Sequence, residues 1–332
     1  MILVLSHEHF EPTTEAVLDW VEHLGGDALR LNGEDLNGDG PFALALDGAD
    51  GELRFTVGTR EFRAADVGAV WLRRWHGYAQ FDLQGRVGDP RLERSVGGHL
   101  IREVGAVTDA LHEMLDGARW LTHPDELRLN KMRALRAAAA AGLDTPATMI
   151  TNNRATLQEF KDRHGRIITK AVGDVDMFCV DNRMYGMYTV EVDQAEIDRA
   201  PALFFPSLVQ ELLHKEYELR VYWLNGESHA MAIFSQDDER TEVDFRRYNH
   251  ARPSRSVPYR LDPATERRIT ATMAAIGVSN GSVDLVRTRC GRLVFLEVNP
   301  AGQFAMVSQP CNYRLEKKVA EHLMRSDEHA RH

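Results

Sequence analysis

Three side chains with oxygen ligands for a hard cation lie in the segment 281–300, GSVDLVRTRCGRLVFLEVNP. Two apolar runs joined by a Gly-containing turn predict a β-hairpin. If residues 290–291 form a two-residue turn, the resulting pairing places Asp284 directly opposite Glu297. Asn299 then lies on the same face as Glu297, because side chains alternate along a strand.

This pairing brings together two carboxylates whose Cβ atoms are about 4.5–5.5 Å apart, and they repel each other. A bound Mg²⁺ would remove the repulsion, because carboxylate and amide oxygens are ligands that it accepts, usually together with phosphate oxygens. We therefore expect that replacing Asp284 or Glu297 with alanine abolishes turnover and leaves the fold nearly intact. The alternatives are two solvated carboxylates, or a register shifted by one residue that moves one carboxylate to the other face.

Charged side chains also occupy two other predicted strands. Glu218 and Arg220 share one face of the predicted strand 217–224. One interpretation is an exposed ion pair, which contributes little to stability. The other places Glu218 on a ribose hydroxyl and Arg220 on a phosphate or developing acyl phosphate, because the planar guanidinium binds oxyanions with two hydrogen bonds. Lys170 ends the strand 166–170 before a Gly-containing turn, where it can contact nucleotide phosphates or simply be solvated.

The segment 243–260, VDFRRYNHARPSRSVPYR, contains five arginines in a chain whose net charge is −10. Such a run is usually a solvated loop, but here it also fits a site for phosphate or an acidic peptide. Arg73 and Arg74 follow a predicted buried strand, a position that ligands favour in open α/β sheets, although such an arginine pair can also be only solvated.

Composition excludes several classes of protein. The 332 residues are 43% hydrophobic and 27% charged, which is ordinary for a globular chain, and the negative net charge argues against non-specific nucleic-acid binding. Three cysteines without CxxC spacing fit a reducing cytoplasm. No apolar run is long enough for a membrane span. The sequence also lacks a Walker A motif, a GxGxxG motif after a strand, and a nucleophile elbow.

The elements predicted around these residues indicate an α/β protein with α+β subdomains. The first 120 residues alternate strand and helix patterns, which predicts a parallel sheet; the patterns lie at 1–5, 13–24, 42–46, 53–57, 67–72 and 91–115. A helix at 124–141 begins at a proline, and a strand is expected at 184–190. The C-terminal part is rich in strands, at 206–211, 217–224, 228–235 and in the hairpin, with helices at 263–276 and 313–325. We divide the chain at 1–120, 121–205 and 206–332.

The sequence resembles the ATP-grasp ligases, and most closely the grasp-with-spasm branch of the peptide maturases that make graspetides, which are microviridin-like crosslinked peptides. The most specific signal is an Asp followed by Glu-x-Asn. The stretches that carry the resemblance are VWLRRW at 70–75, NKMRALRAAAAAGLDTPATMITN at 130–152, KEYELRVYWLNGESHAMAIFSQ at 215–236, VDFRRYN at 243–249, and GSVDLV with FLEVNPAGQF within 281–304. The family implies an ATP-grasp fold preceded by an α/β pre-ATP-grasp domain.

The resemblance also implies roles for matching positions. The residues expected at ATP phosphates are Lys131 and Lys170. The residues expected at adenine and ribose are Gln210, Glu211, Leu213 and Glu218. The ligands expected for two Mg²⁺ ions are Asp284, Glu297 and Asn299. The groups expected to stabilise the transferred phosphoryl group and the acyl phosphate are Arg220, Arg246 and Asn249.

The implied enzyme is an ADP-forming macrocyclase. It would phosphorylate Asp or Glu side chains of a ribosomal precursor peptide and join them to Ser or Thr (ω-ester) or to Lys (ω-amide). The expected partners are a leader segment and an acidic core, without nucleic acid or membrane, and a homodimer is possible. One alternative is an ATP-grasp ligase that adds an amino acid to a protein or small-molecule carboxylate. A nucleotide-binding module without catalysis is the other.

Overall fold

The computed structural model describes residues 1–7, 11–37, 42–47, 52–75, 88–173, 178–180, 183–237 and 253–330. The chain forms two compact units, one containing Met1–Arg128 and Arg314–His332 and the other containing Leu129–Tyr313. The predicted three-part division of the chain stays a prediction. No helix among the described residues is long and apolar enough to span a membrane.

The first unit contains a parallel sheet, as the alternating pattern predicts. In chain order its strands are β1 (Ile2–Ser6), β2 (Ala28–Asn32), β3 (Phe42–Asp47), β4 (Glu52–Val57), β5 (Arg60–Arg63), β6 (Ala69–Leu72) and β7 (Arg119–Leu121), and its helices are α1 (Pro12–His23), α2 (Pro90–Met114) and α8 (Leu315–Ala330). The parallel order is β2-β1-β6-β7. β1 and β6 are buried along their whole length, which explains their continuous apolar runs.

A small antiparallel sheet, β3-β4-β5, accompanies the parallel one. The sequence predicts β3 and β4 but not β5, whose four residues are mostly charged or polar. Phe62 of β5 is buried and stacks on Phe55 of β4 at 5.2 Å. A single buried aromatic side chain therefore holds a strand too short for its alternation to be recognised.

The long helix α2 begins within one residue of its predicted start, where Asp89 accepts a hydrogen bond from the Arg91 amide at 2.8 Å. Its apolar side chains are not equally buried. Val104 and Leu111 are buried, whereas Leu92 in the first turn is 51% exposed. Among the described residues, the C-terminal half of α2 is therefore the part that contributes to the core.

His112 near the end of α2 makes the stability of the first unit dependent on pH. Burial lowers the pKa of His112 to about 4, with Asp109 opposing the shift and His123 adding to it. An unfolded chain binds this proton at about pH 6.5, so between pH 6.5 and 4 the unfolded state holds more protons than the folded state. We expect stability to fall as the pH drops through this window. Thermal melting of wild type and His112→Phe at pH 7.5 and 4.5 should show a smaller loss in the variant.

His99, which is exposed on the same helix, provides a matched control for this prediction. His99→Gln should lose as much stability as the wild type between the two pH values. An equal loss in His112→Phe would place the pH dependence elsewhere.

The described part of the second unit holds a four-stranded, a five-stranded and a two-stranded sheet, all antiparallel. Its strands are β8 (Thr148–Asn153), β9 (Ile167–Lys170), β10 (Phe178–Val180), β11 (Arg183–Tyr185), β12 (Val190–Val192), β13 (Leu203–Glu211), β14 (Lys215–Leu224), β15 (Glu227–Phe234), β16 (Arg255–Tyr259), β17 (Asn280–Thr288) and β18 (Leu293–Asn299). Its helices are α3 (Lys131–Ala140), α4 (Arg154–His164), α5 (Gln194–Arg199), α6 (Pro263–Ile276) and α7 (Ala305–Cys311). The sheets have the orders β12-β9-β13-β8 and β16-β15-β14-β17-β18, and β10 pairs with β11.

The larger core of this unit lies beneath the five-stranded sheet, where α3 and α6 pack on apolar side chains of β14, β17 and β18. α6 has the predicted bounds because its ends carry clear signals. Asp262 accepts hydrogen bonds from the amides of Ala264 and Thr265 at 3.0 Å, and Gly277 adopts a left-handed conformation with φ 71°. A proline at the first position and a glycine after the last are typical of helix ends.

Three predicted elements differ from the structure. The helix expected at 124–141 is a short 3₁₀ turn, Pro124–Arg128, followed by α3, because the Asn130 side chain caps the amides of Met132 and Arg133. The strand expected at 184–190 is divided between β11 and β12. The last helix, expected at 313–325, is α8 (Leu315–Ala330). The sequence does not predict the short helix α7 that precedes it.

Candidate active site

The hairpin of β17 and β18 places Asp284 opposite Glu297, as predicted. The predicted two-residue turn is wrong. The last strand pair is Arg287 with Leu293, and the Thr288 amide then donates to the Arg292 carbonyl at 2.9 Å. The loop between these two residues therefore spans three residues, 289–291, and the Gly291 amide donates to the Thr288 carbonyl at 2.9 Å. Gly291 has φ 87°, which is the left-handed position that three-residue hairpin loops require.

A β-bulge restores the predicted pairing. Between Asp284–Glu297 and the next pair, Leu285–Phe295, β18 contains one extra residue, Leu296. The longer loop and the bulge change the register by one residue in opposite directions, so the two carboxylates still face each other. Bulges redirect side chains beside functional sites, and Leu296 lines the cavity described below.

Asn299 ends β18 opposite Ser282, where the chain turns sharply. The Gly302 amide donates to the Asn299 carbonyl at 2.9 Å. A Cβ atom on Gly302 would lie 2.4 Å from the Ser282 side chain and 2.8 Å from the Asn299 oxygen. Glycine at position 302 therefore allows the turn that fixes Asn299 beside the two carboxylates.

Both facing carboxylates are bound to cations of the protein. Arg220 Nη1 lies 2.7 Å from Asp284 Oδ1 and 2.6 Å from Oδ2. Lys170 Nζ lies 3.2 Å from Glu297 Oε2, and Lys131 Nζ lies 4.0 Å from the same oxygen. Burial raises the pKa of Asp284, while Arg220 opposes the rise and Glu297 adds to it. The repulsion predicted for the hairpin is thus offset by three positive charges.

The two lysines reach Glu297 from separate elements. Lys170 ends β9, and Lys131 is the first residue of α3, which Asn130 caps. Lys131 Nζ also donates to the carbonyls of Ala171 and Gly173, at 2.9 and 3.0 Å. The chain after β9 is therefore held by the same ammonium group that approaches the carboxylates.

Glu218 is buried, so its interpretation as part of an exposed ion pair with Arg220 is wrong. Counted over the whole residue, backbone included, the exposed fractions of Glu218 and Arg220 are 7% and 9%. Glu218 Oε1 accepts hydrogen bonds from Lys215 Nζ at 2.9 Å and from Ser235 Oγ at 2.7 Å. Two donors on one oxygen fix the orientation of this carboxylate.

Gln210 and Glu211 lie at the end of β13. The Gln210 amide nitrogen donates to Thr148 Oγ1 at 2.9 Å, and Glu211 Oε1 accepts from the Ala147 amide at 3.0 Å. The Glu211 carboxylate thus ties β13 to the chain before β8.

A cavity of about 410 Å³ brings these groups together, within the range of small-molecule sites. All the predicted site residues that the structure describes line it: Lys131, Lys170, Gln210, Glu211, Leu213, Glu218, Arg220, Asp284, Glu297 and Asn299. The other two, Arg246 and Asn249, lie outside the described residues. Lining residues that the sequence did not single out include Lys215, Gln236, Arg289 and Leu296.

The donor set fits a magnesium ion that shares its shell with phosphate. Asp284 and Glu297 supply carboxylates, and Asn299 supplies an amide oxygen. A different kind of metal site, built from three or more His, Cys, Asp or Glu side chains, does not occur in the described part of the chain. Mg²⁺ is typically bound by one or two carboxylates with substrate phosphates and water. Arg220 Nε is buried and has no hydrogen-bond partner among the described residues.

Comparisons with known proteins agree with this architecture. Residues 1–128 match the model of the MvdD pre-ATP-grasp domain. Among curated proteins, none matched the chain in sequence.

Several solved structures match over the whole chain. The macrocyclase MdnC from Microcystis aeruginosa MRC, bound to precursor peptide MdnA, has 22% identity and a TM-score of 0.82, covering 98% of this chain and 99% of its own. A RiPP-associated ATP-grasp ligase from Chryseobacterium gregarium, in complex with ADP and a leader and core peptide, has 22% identity and a TM-score of 0.85, covering 97% and 96%.

The ATP-grasp ligase PsnB, complexed with a minimal precursor, Mg and ADP, has 17% identity and a TM-score of 0.77, covering 98% of this chain and 97% of its own. Sequence identities of 17–22% show that these proteins share the fold of this chain. The chain therefore has the ATP-grasp fold, and its residues 1–128 match the pre-ATP-grasp domain model.

Proposed function

We propose that this chain is an ATP-dependent, ADP-forming ligase that crosslinks the side chains of a ribosomal precursor peptide. The observation that carries the proposal is the pair of facing carboxylates, Asp284 and Glu297, each bound to a cation in one cavity. The comparisons support the substrate class, because MdnC is bound to a precursor peptide and the Chryseobacterium ligase to ADP, a leader and a core peptide.

The cavity divides into regions that suit the parts of ATP. Apolar side chains, among them Leu213 and Leu296, would face the base, and Glu218 would accept hydrogen bonds from a ribose hydroxyl. Lys131 and Lys170 would bind phosphate oxygens. When bound by Asp284, Glu297 and Asn299, Mg²⁺ would neutralise phosphate charge; the PsnB complex holds Mg and ADP.

The proposed reaction has two steps. A peptide Asp or Glu carboxylate attacks the γ-phosphorus of ATP, which forms an acyl phosphate and releases ADP. A Ser or Thr hydroxyl, or a Lys amine, of the same peptide then attacks the acyl carbon, loses its proton and displaces phosphate. Arg220 would hold the oxyanions of both steps, and the roles of Arg246 and Asn249 there remain predictions. Positioning and charge dominate such transfers, which suits a cavity rich in cations and carboxylates.

Precursor recognition is proposed to use two separate regions. The Arg-rich segment 243–260 would attract the acidic core; of its arginines, Arg255 stacks on Phe234, with its guanidinium carbon 5.2 Å from the ring centroid. A leader bound elsewhere would raise the effective concentration of the core. A cytoplasmic location and a homodimer stay predictions of the sequence.

The first test is the intact mass of the peptide encoded beside this gene, after incubation with the protein, ATP and Mg²⁺. Loss of one water per crosslink is the expected result. A mass gain equal to an added amino acid would instead establish the ligase that extends a carboxylate. Bound ATP with no change in any neighbouring peptide would contradict the macrocyclase.

We expect Ser235→Ala to weaken recognition of the ribose. The hydroxyl of Ser235 is fully buried and donates to Glu218, and a hydrogen bond to a charged group contributes about 1.5–3 kcal/mol. The KM for ATP should rise about 10-fold with kcat nearly unchanged. The preference for ATP over 2′-deoxy-ATP and 3′-deoxy-ATP should also shrink, which a merely destabilised protein would not show.

Ser228→Ala on β15, the strand that ends just before Ser235, is the matched control, because the buried Ser228 hydroxyl has no hydrogen-bond partner in the described structure. It should keep the wild-type KM and the wild-type preference. A preference unchanged in Ser235→Ala would contradict the ribose role of Glu218.

A further inference from the structure

Arg220 and Asp284 form an ion pair at the place where a metal would bind. Both hydrogen bonds, 2.7 and 2.6 Å, come from one guanidinium nitrogen, and the exposed fractions of the two side chains are 11% and 14%. Their strands are neighbours, and Arg220 lies directly opposite Asp284 in the β14–β17 pairing. The contact is therefore set by the sheet and not by a mobile surface side chain.

The same arrangement recurs at the second carboxylate. Lys170 lies 3.2 Å from Glu297, so without ligands each carboxylate of the pair already has a positive partner. A divalent cation entering alone would meet carboxylates that are neutralised, and it would repel the guanidinium and ammonium groups at close range. The site is thus poorly prepared for free metal, although its oxygen ligands suit one.

We propose that Arg220 and the divalent cation are alternative partners of Asp284, so that metal binds only together with the nucleotide and its arrival frees Arg220 for the substrate carboxylate. This inference rests on the proposed function, since it assigns a regulation to the same site. The phosphates supply the negative charge that lets Lys170 leave Glu297, and the metal then takes the place of Arg220 on Asp284.

The exchange would impose an order on the reaction. A peptide carboxylate reaches a free guanidinium only after metal and nucleotide are in place, because until then Asp284 occupies it. Linkage requires that nucleotide raises the affinity for metal by the same factor by which metal raises the affinity for nucleotide. A peptide that binds before ATP would therefore find no free guanidinium group to pair with its carboxylate.

Mn²⁺ binding to the full chain tests the exchange without any turnover, because Mn²⁺ accepts the same oxygen ligands as Mg²⁺ and its free form is counted by electron paramagnetic resonance. In the wild type, the non-hydrolysable analogue AMPPNP should raise Mn²⁺ affinity by roughly 10-fold or more. Arg220→Gln should bind Mn²⁺ without nucleotide roughly 10-fold more tightly than the wild type. Arg287→Gln, which changes an arginine on the neighbouring strand, should behave like the wild type.

Arg220→Gln leaves a buried carboxylate without its partner and can lose stability, so a second variant and a second readout are needed. Arg220→Lys keeps the charge and should keep the weak Mn²⁺ binding of the wild type. The Nε–H signal of Arg220, assigned in ¹⁵N-arginine-labelled protein by its loss in Arg220→Gln, should move with Mg²⁺ plus AMPPNP and stay in place with Mg²⁺ alone.

Three other results would each overturn the proposed exchange, and one of them would also overturn the proposed function. If AMPPNP binds but Mn²⁺ affinity is the same with and without it, and Arg220→Gln does not tighten Mn²⁺ binding, the exchange is wrong and the proposed function stands. If Mg²⁺ alone moves the Arg220 signal, the nucleotide is not required and the exchange is wrong. If AMPPNP does not bind at all, both the exchange and the proposed function fail.

Discussion

Glu297→Gln is expected to lower kcat by about 10³-fold or more, because the glutamine keeps the shape of the side chain but removes the charge that a metal needs. Glu297 is also the carboxylate that Lys170 contacts at 3.2 Å. Loss of its charge therefore affects both the metal and the lysine that would bind phosphate. Peptide-dependent ADP release, measured at saturating Mg²⁺ and ATP, gives the rate.

Glu216→Gln is the matched control for this substitution, since Glu216 lies on β14 but is exposed. It should retain wild-type turnover. Unchanged turnover in Glu297→Gln would remove Glu297 from the metal site and leave the hairpin carboxylates with a purely structural role.

The contacts in the folded protein change the effect on stability that is expected from removing Asp284 or Glu297. From the sequence alone, removal of either carboxylate relieves a repulsion and leaves the fold nearly intact. In the folded protein Asp284 instead neutralises the buried Arg220. Asp284→Ala should therefore destabilise the protein by about 3–5 kcal/mol, as expected when one partner of a buried ion pair is lost. For this reason Glu297, which is 26% exposed, is the better position for a kinetic test.

The hairpin illustrates which part of the site is readable from a sequence. The facing of Asp284 and Glu297 was predicted correctly from a turn that does not exist, because the three-residue loop and the bulge at Leu296 compensate each other. Alternation and the requirement to bury one face restrict the register strongly. The loop type depends on one left-handed glycine, Gly291, and a bulge leaves no local pattern that apolar spacing could detect.

The sequence does not predict which residues the charged side chains of the site contact. Arg220 meets Asp284, 64 residues further along the chain, across the β14–β17 pair. Glu218 meets Ser235, 17 residues further along, in the turn that follows β15. Local spacing identified the shared face of Glu218 and Arg220 but not its burial. Lys131 on local evidence is a surface residue at the start of a helix, and only the family resemblance assigned it to the site.

Arg220→Lys is expected to lower kcat by about 10²–10³-fold, the effect of losing one preorganised donor to a developing oxyanion, with a smaller change in the KM for ATP. Without ligands, Arg220 Nη1 binds Asp284. Once a metal has taken its place on Asp284, the planar guanidinium can bind an oxyanion with two parallel hydrogen bonds. An ammonium group is a point charge and cannot replace this geometry.

Steady-state rates for Arg220→Lys and for the control Arg287→Lys, on the adjacent strand, decide this prediction. The control should retain wild-type turnover, because Arg287 is not among the residues that line the cavity. Trapping the acyl phosphate with hydroxylamine would show whether the variant fails before or after phosphoryl transfer. Near-normal turnover in Arg220→Lys would mean that a point charge is sufficient, and Arg220 would then serve only to neutralise Asp284 inside the sheet.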